Sequence, residues 1–190
     1  MTTTADRILD SAQALAQVRG YNGFSYADIS AELSITKPSI HHHFPTKAAL
    51  AEALIARYRE QFAAARQQVD SDAMGARERL LGYAGLYAKV FADGGRLCLC
   101  GVFAADAESL PAPARQATAE FFADQQRWVA GVLAEAGLPA SRTGAAAQAY
   151  LAALEGALLL ARAHGQPGSA AGLDRDVVRS VAATLLDALV

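Results

Sequence analysis

The stretch FSYADISAELSITKPSIHHHFPTKAAL, residues 24–50, decides which fold we expect for this chain. Ser25 stands three residues before Asp28, which is the spacing of a capping box at a helix N-terminus. Thr36 can cap a second short helix, and Pro38 is tolerated there because first-turn amides have no intrahelical partner. The stretch therefore predicts two short helices joined by a tight turn.

Three consecutive histidines, His41–His43, occupy the second short helix. Neighbouring helical residues point about 100° apart, so adjacent imidazoles diverge and do not suit a metal ion, which needs convergent ligands. With Ile40 and Phe44 as the inward apolar pair, the polar side chains of this helix point outward. The surrounding residues 33–51 contain no acidic residue. This composition fits either a surface for phosphate oxygens and base edges or an ordinary solvated helix face.

The arrangement of the helices favours the first alternative. A capped helix, a three-residue turn and a second helix with an outward polar face form a helix-turn-helix, whose second helix enters the major groove of DNA. Residues 5–55 resemble the DNA-binding region of the TetR family of bacterial transcriptional regulators. That signature runs as an Ile-Ala helix, an Ala-Gly-Val-Ser/Thr turn, Lys-Gly-Thr-Leu-Tyr-x-His/Tyr-Phe and a Lys that opens the next helix. The positions that carry the resemblance are Thr36, Lys37, Ser39, Ile40, Phe44, Pro45 and Lys47.

The sequence departs from the family signature at three places. Leu33-Ser34 replaces Ala-Gly, Pro38 replaces Gly, and His41 replaces Tyr. The turn must therefore form without glycine, and no operator sequence is carried over from the family.

The resemblance and the side-chain chemistry together assign the expected DNA contacts. Helix starts carry positive partial charge and attract phosphate. The residues expected to contact phosphates are Ser25, Tyr26, Thr36, Lys37 and Lys47. The residues expected to face the groove are Ser39, His41 and His42, while His43 either contacts DNA or is structural. Because histidine titrates close to neutral pH, we expect DNA affinity to increase at mildly acidic pH.

Composition and periodicity predict an all-α fold for the whole chain. Alanine and leucine carry most of the apolar character, and β-branched runs are rare. The net charge of −2 excludes a globally basic nucleic-acid binder, so any DNA contact must be local. The later helices are expected at residues 76–92, 99–108, 112–136, 143–164 and 174–189. We expect a three-helix DNA-binding domain, residues 1–48, and a larger helical effector-binding and dimerisation domain, residues 49–190.

The chain carries no feature of a membrane or secreted protein at the sequence level. No uncharged apolar stretch reaches about 18 residues, and the N-terminus MTTTADRILD lacks a signal-peptide core. Cys98 and Cys100 are too few for a disulfide framework. We therefore expect a cytoplasmic protein without a membrane partner.

The last two predicted helices carry apolar stripes that suit helix pairing. The family resemblance implies that they form a four-helix interface with a second subunit. The predicted dimer residues are Leu151, Leu154, Leu158, Val178, Val181 and Leu185. The alternative is that both stripes belong to the core of one chain.

The central helices contain most of the aromatic residues, and helical spacing explains most of them as core. The resemblance implies that some line an effector pocket. The predicted pocket residues are Phe62, Tyr83, Tyr87, Phe91, Cys98, Phe103, Phe122 and Trp128. Glu155 and His164, on a late helix, are expected at the surface or at the dimer edge.

The segment RLCLCGVFAAD, residues 96–106, is the one chemically distinctive feature of this region. Cys98 lies near a predicted helix start and close to Arg96, and both features favour a reactive thiolate. It resembles the Cys-Leu of TetR-family repressors that sense electrophiles. The alternative is that Cys98 and Cys100 are small buried hydrophobic residues.

No sequence feature indicates an enzyme. The chain lacks a glycine-rich phosphate loop, a nucleophile elbow and a metal-ligand set, and we expect no cofactor.

The predicted function is a ligand-responsive repressor that binds a palindromic double-stranded DNA operator as a homodimer. A small-molecule effector is expected to release it. The alternative is a helical small-molecule-binding or scaffold protein without DNA affinity, which would show no salt-dependent binding to its own promoter.

Overall fold

The computed structural model describes residues 2–70, 74–164 and 176–189, and these residues form helices and connecting loops without a β-strand. The helices are α1 (Thr4–Arg19), α2 (Tyr26–Leu33), α3 (Lys37–His43), α4 (Lys47–Val69), α5 (Ala76–Ala92), α6 (Leu99–Ala105), α7 (Ala112–Glu135), α8 (Ala140–His164) and α9 (Val177–Leu189). A single 3₁₀ turn, Ala107–Ser109, follows α6 within the described part of the chain. The predicted all-α fold is confirmed.

Most predicted helix boundaries agree with the structure to within one or two residues. Helix α8 begins three residues earlier than predicted, and α6 ends at Ala105 because the chain tightens there into the 3₁₀ turn. The first residues of the last predicted helix, 174 and 175, lie outside the described residues, as does the predicted break at 165–172.

The chain forms two compact units. The first comprises Met1–Gln61 and Leu99–Phe121, and the second comprises Phe62–Cys98 and Phe122–Val190. The first unit takes in α6 because this helix packs against α1. This division differs from the boundary expected after residue 48, and the functional domain assignment stays a prediction.

The core of the first unit is built from one apolar stripe on each of its N-terminal helices. The side chains that lose nearly all their exposed surface there are Ile8, Ala12, Ala16, Ile29, Ile40, Leu50 and Leu54. Burying a side chain of the size of leucine or isoleucine contributes roughly 1.5–3 kcal/mol. The short helices α2 and α3 therefore depend on tertiary packing for their stability, since isolated helices of this length are marginal in water.

Each N-terminal helix also begins at a capping residue. Thr3 and Asp6 form a reciprocal capping box at α1, and Ser25 and Asp28 form the predicted one at α2. At the start of α4, the Thr46 hydroxyl accepts a hydrogen bond from the Ala49 amide at 3.0 Å. The helix boundaries predicted from capping residues are thus confirmed.

The turn between α2 and α3 forms without glycine, as the sequence requires. Ser34 adopts the left-handed conformation (φ 54°, ψ 40°) that glycine usually takes at a helix C-terminus. The Ser30 carbonyl accepts hydrogen bonds from the Ser34 and Ile35 amides. The Ser30 hydroxyl also donates to the Ile35 carbonyl at 2.6 Å. Ser30 therefore holds the turn that a glycine would otherwise make easy.

The second unit is organised by α5, α8 and α9, which pack on one another. The Tyr150 hydroxyl of α8 donates to the Leu80 carbonyl of α5 at 2.8 Å. Arg79 of α5 forms ion pairs with Asp70 at 2.6 Å and with Glu135. Because Arg79 is buried and holds two carboxylates, it fixes α5 against the ends of α4 and α7.

Helix α8 is long and apolar enough to cross a membrane by length and composition alone, with a mean hydropathy of 1.4 over its most apolar window. Within the described residues it is the one helix with this property. Its apolar side is buried against α5 and α9, which is the setting of a core helix.

The structure corrects four of the six predicted dimer residues. Leu151, Leu154 and Leu158 of α8 are buried inside the protomer, and so is Val178 of α9. Their side chains pack between α8, α9 and α5, so they cannot form the surface that meets a second subunit. The two remaining predicted residues, Val181 and Leu185, are partly exposed.

Candidate nucleic-acid interface

Helix α3 presents its polar side chains outward because two apolar residues fix its inner face. Ile40 is fully buried and Phe44 is 8 % exposed. The exposed residues of this segment are Thr36, Lys37, Pro38, His41, His42 and His43, and Ser39 is half-buried. The outward face predicted from the helical period is therefore present, with the three imidazoles in solvent.

Two predicted phosphate contacts use their hydrogen-bond donors inside the protein, which corrects their assignment. The Tyr26 hydroxyl is buried and donates to the Phe44 carbonyl at 2.7 Å, and burial raises its pKa to about 12. The Ser25 hydroxyl and amide both donate to the Asp28 carboxylate, at 2.7 and 2.8 Å. Tyr26 thus ties α2 to the end of α3, and Ser25 caps α2.

The Thr36 hydroxyl serves as a cap and keeps its own proton available. It accepts a hydrogen bond from the Ser39 amide at 3.3 Å at the start of α3. Because the hydroxyl is the acceptor in this contact, its O–H can donate to an external oxygen. Lys37, the first residue of α3, is exposed beside it.

His41 is oriented by two neighbours. Its ring contacts the Tyr26 ring edge to face, with centroids 4.7 Å apart. Its Nδ1 lies 3.1 Å from the Pro45 carbonyl oxygen, which can only accept, so Nδ1 carries the proton. Nε2 is then the ring atom left for an external partner, as an acceptor in the neutral ring and as a donor in the protonated one. His42 and His43 contact each other, with ring centroids 5.3 Å apart.

Lys47 lies in a groove of about 330 Å³ beside the N-terminus of α2. Its ammonium donates to the Phe24 carbonyl and lies over the rings of Tyr21 and Phe24, 4.7 and 4.4 Å from their centroids. Burial lowers the pKa of Lys47, an effect that Asp28 and Asp106 oppose. The groove is lined by Phe24, Ser25, Tyr26, Ala27, Lys37, His41 and Lys47.

The acidic residues near this groove are bound to other groups of the protein. Asp28 forms an ion pair with Arg19 at 3.1 Å, and Asp106 accepts a hydrogen bond from the Tyr21 amide at 2.6 Å. The ammonium of Lys47 has three donor positions, and one is used by the Phe24 carbonyl. The groove therefore holds two lysines, Lys37 and Lys47, whose ammonium groups suit phosphate oxygens.

The predicted effector residues are only partly brought together. Phe62, Tyr83, Tyr87 and Trp128 form one aromatic cluster in the second unit, with neighbouring ring centroids 5.0–5.9 Å apart. Phe91 and Cys98 are buried in the same unit, and Phe122 is half-buried.

Phe103 does not belong to the aromatic cluster, and its assignment to the effector pocket stays a prediction. It lies in the first unit, where its ring packs edge to face on Tyr21 at 5.9 Å. The physical reason is the packing of α6 against α1, which carries Phe103 into that core.

Both cysteines are buried thiols. Cys98 is 1 % exposed and Cys100 is fully buried. Arg96, expected to favour a thiolate, forms an ion pair with Asp93 at 2.7 Å. Cys98 instead forms a hydrogen bond with the Glu155 carboxyl. Electrophile sensing by Cys98 stays a prediction.

No group of three or more His, Cys, Asp and Glu residues within 2–70, 74–164 and 176–189 could hold a metal ion.

Sequence reasoning missed the position of Glu155. The residue was expected at the surface or at the dimer edge, yet its Oε1 atom is buried. The signal was present in the helical period, because Leu151 and Leu158 flank it at i−4 and i+3 and both are buried. The exposed Leu159 and Leu160 were also overlooked.

The comparisons with known proteins agree with this geometry. The family described as "Bacterial regulatory proteins, tetR family" matches residues 8–54, and "Transcriptional regulator LmrA/YxaF-like, C-terminal domain" matches residues 83–169. No curated protein gives a significant match.

Solved structures match over nearly the full length. A TetR transcriptional regulator from Legionella pneumophila is 30 % identical, with a TM-score of 0.90 over 100 % of this chain and 99 % of that one. A TetR-family regulator from Agrobacterium tumefaciens is 32 % identical, with a TM-score of 0.85 over 97 % and 96 % of the two chains. The regulatory protein TetR from Rhodobacter sphaeroides is 26 % identical, with a TM-score of 0.83 over 97 % of each chain. This chain belongs to the TetR family of bacterial transcriptional regulators.

Proposed function

We propose that this regulator is a cytoplasmic repressor that binds a palindromic operator as a homodimer and is released by a small-molecule effector. The observation that carries the proposal is the outward polar face of α3, free of acidic residues and held by the buried Ile40 and Phe44. A helix with such a face fits the major groove, where base edges present acceptors and donors.

The proposed contacts divide into base and phosphate contacts. Ser39, His41 and His42 are assigned to base edges, since they lie on the outward face of α3. Thr36, Lys37 and Lys47 are assigned to phosphates, and His43 to the rim of the interface. Ser25 and Tyr26 support the site by fixing α2 and the end of α3.

The proposed dimer surface is the exposed side of α8 and α9. Leu159 and Leu160 are adjacent and 58 % and 61 % exposed, so they form an apolar patch on this helix, and exposed apolar patches mark interaction sites. The exposed small residues Ala145, Ala149 and Ala152 precede them on α8 at helical spacing. Small residues allow a second helix to approach closely, so this side suits pairing with a second copy. The partly exposed Val181 and Leu185 add to it from α9.

Helix α4 is the proposed link between effector and DNA. It begins at Lys47, a proposed phosphate contact, and it carries Phe62 of the aromatic cluster. An effector that favours one orientation of α4 would change the separation of the two α3 helices of the dimer. The two binding events would then be coupled, and each would weaken the other by the same factor.

The test measures binding of the purified chain to DNA from its own promoter by fluorescence anisotropy over a range of salt concentrations. We expect a steep loss of affinity with salt, and His42→Ala should lower affinity by about tenfold, the effect of one lost base contact. His164→Ala is the matched control, because His164 is an exposed histidine on α8. Equal affinities of the two variants would contradict the assignment of His42. A chain with no salt-dependent affinity for this DNA would instead be the helical binding or scaffold protein considered above.

A further inference from the structure

Glu155 places a carboxyl group in the apolar side of α8. The side chains at i−4 and i+3, Leu151 and Leu158, are both buried, and the preceding Leu154 is fully buried. Oε1 of Glu155 has no exposed surface and no hydrogen-bond partner. Burial raises the pKa of Glu155 well above its ordinary value, and Cys98 adds to the effect. A buried polar atom without a partner is rare in a native protein and calls for an explanation.

The groups around Glu155 are acidic and aromatic. Cys98 forms a hydrogen bond with its carboxyl, and Tyr83 and Tyr87 lie close enough to interact with it electrostatically. The two tyrosine hydroxyls are 3.2 Å apart. Phe62 packs edge to face on both tyrosine rings, at 5.9 and 5.6 Å.

Arg66, which interacts electrostatically with Tyr83, is held by other partners. Arg66 lies over the Trp128 ring, 5.6 Å from its centroid, and donates to Gln125 Oε1 at 3.0 Å. Trp128 in turn stacks on Tyr83 with centroids 5.0 Å apart. Glu155 therefore faces a thiol and two phenols, and no cation among the described residues lowers its pKa.

A buried carboxylate among aromatic rings matches one class of ligand. A protonated amine supplies the hydrogen-bond donor that Oε1 lacks, and its positive charge stabilises the ionised form of the carboxyl group, which burial alone disfavours. The faces of tyrosine and tryptophan rings also attract a cation. A carboxylate ligand would be repelled, and an alcohol would satisfy the hydrogen bond without the charge.

We propose that Glu155 is the polar anchor of the effector site and that the effector class is an amine carried on an apolar body. The aromatic cluster of Phe62, Tyr83, Tyr87 and Trp128 would hold the apolar part. The role of this amine as an effector rests on the proposed function, whereas the binding of the amine to the site does not.

The test uses three probes with one skeleton: 4-phenylbutylamine, 4-phenylbutanol and 4-phenylbutanoate. Isothermal titration of the full chain should give binding of the amine at least about tenfold tighter than of either other probe, the increment of one charge-assisted hydrogen bond. Glu155→Gln should abolish this preference, and Glu60→Gln, an exposed glutamate on α4, should retain it. Amine affinity should also rise with pH in the unmodified chain, as the carboxyl loses its proton, and should not do so in Glu155→Gln.

Two outcomes overturn the inference. One is that the amine fails to bind at millimolar concentration, or binds no better than the alcohol; this comparison needs only the unmodified chain. The other is that Glu155→Gln, folded by circular dichroism, keeps the full preference for the amine. Promoter binding is measured separately. A chain that binds its promoter but shows no amine preference refutes this inference alone, and one that prefers the amine but does not bind DNA refutes the proposed function alone.

Discussion

At the scale of single residues, hydroxyl and carboxyl groups take roles that depend on their nearest neighbours. Ser25 and Tyr26 lie at a helix start, which made phosphate contacts a reasonable expectation. In the folded chain the Tyr26 hydroxyl reaches the carbonyl of Phe44, 18 residues further along. A hydroxyl has one proton to donate, so this contact removes Tyr26 from the list of phosphate donors.

Glu155 gives a prediction for stability as a function of pH. Its folded-state pKa is raised, so the folded state holds the proton more tightly than the unfolded state. The protonated Glu155 side chain therefore stabilises the folded state. This stabilisation is fully present below the ordinary carboxyl pKa and is lost as the pH rises through the raised folded-state pKa. We expect Glu155→Gln to have a higher free energy of unfolding than the unmodified chain at alkaline pH, by about 1–3 kcal/mol, the cost of a buried unsatisfied polar group.

Urea unfolding of the unmodified protein and of Glu155→Gln at a series of pH values measures the difference in their free energies of unfolding. The groups that also face Glu155 are Cys98, Tyr83 and Tyr87, and all three are present in both proteins. A difference that stays constant from pH 5 to pH 9 would contradict the prediction.

At the scale of elements, the turn between α2 and α3 shows how a helix-turn-helix forms without its usual glycine. Ser34 is the one non-glycine residue with positive φ among those described. A serine in this conformation costs free energy that a glycine avoids. Ser30 offsets the cost through its carbonyl and its hydroxyl.

Two substitutions in this turn should change stability in opposite directions. Ser34→Gly should raise the free energy of unfolding by about 0.5–1 kcal/mol, because it relieves the left-handed conformation. Ser30→Ala should lower it by about 1 kcal/mol, because it removes the hydrogen bond to the Ile35 carbonyl. Thermal or urea unfolding of the two variants checks both signs. If Ser34→Gly were destabilising, the account of the turn would be wrong.

At the scale of the whole molecule, α8 divides its apolar residues between two environments. Leu154 and Leu158 pack inside the protomer, while Leu159 and Leu160 face solvent. The proposed homodimer requires Leu159 and Leu160 at its interface. We therefore expect Leu160→Glu to shift the chain from dimer to monomer, since a charge in an apolar helix interface leaves that group desolvated and unpaired.

Sedimentation or light scattering at micromolar concentration measures the change in assembly, and far-UV circular dichroism confirms that the variant remains helical. Leu154→Ala is the matched control on the same helix. It should cost about 2–5 kcal/mol of stability through a core cavity yet leave the folded chain dimeric. A dimeric Leu160→Glu would remove this surface from the proposal, and a monomeric unmodified chain would remove the dimer itself.

Sequence patterns alone were enough to predict the helical class, most helix boundaries and the outward face of α3. These features depend on contacts within three or four residues: caps, breakers and the 3.6-residue period act locally, and Thr36, Ile40 and Phe44 lie where that period places them. Which apolar and polar groups meet depends instead on how the helices pack in three dimensions. An apolar stripe has the same pattern whether it faces its own chain or a partner, so the burial of Leu151 and the exposure of Leu159 depend on how α5 and α9 pack on α8. The burial of Glu155 beside Cys98, 57 residues away along the chain, is decided by the same packing, because no local rule relates residues so far apart.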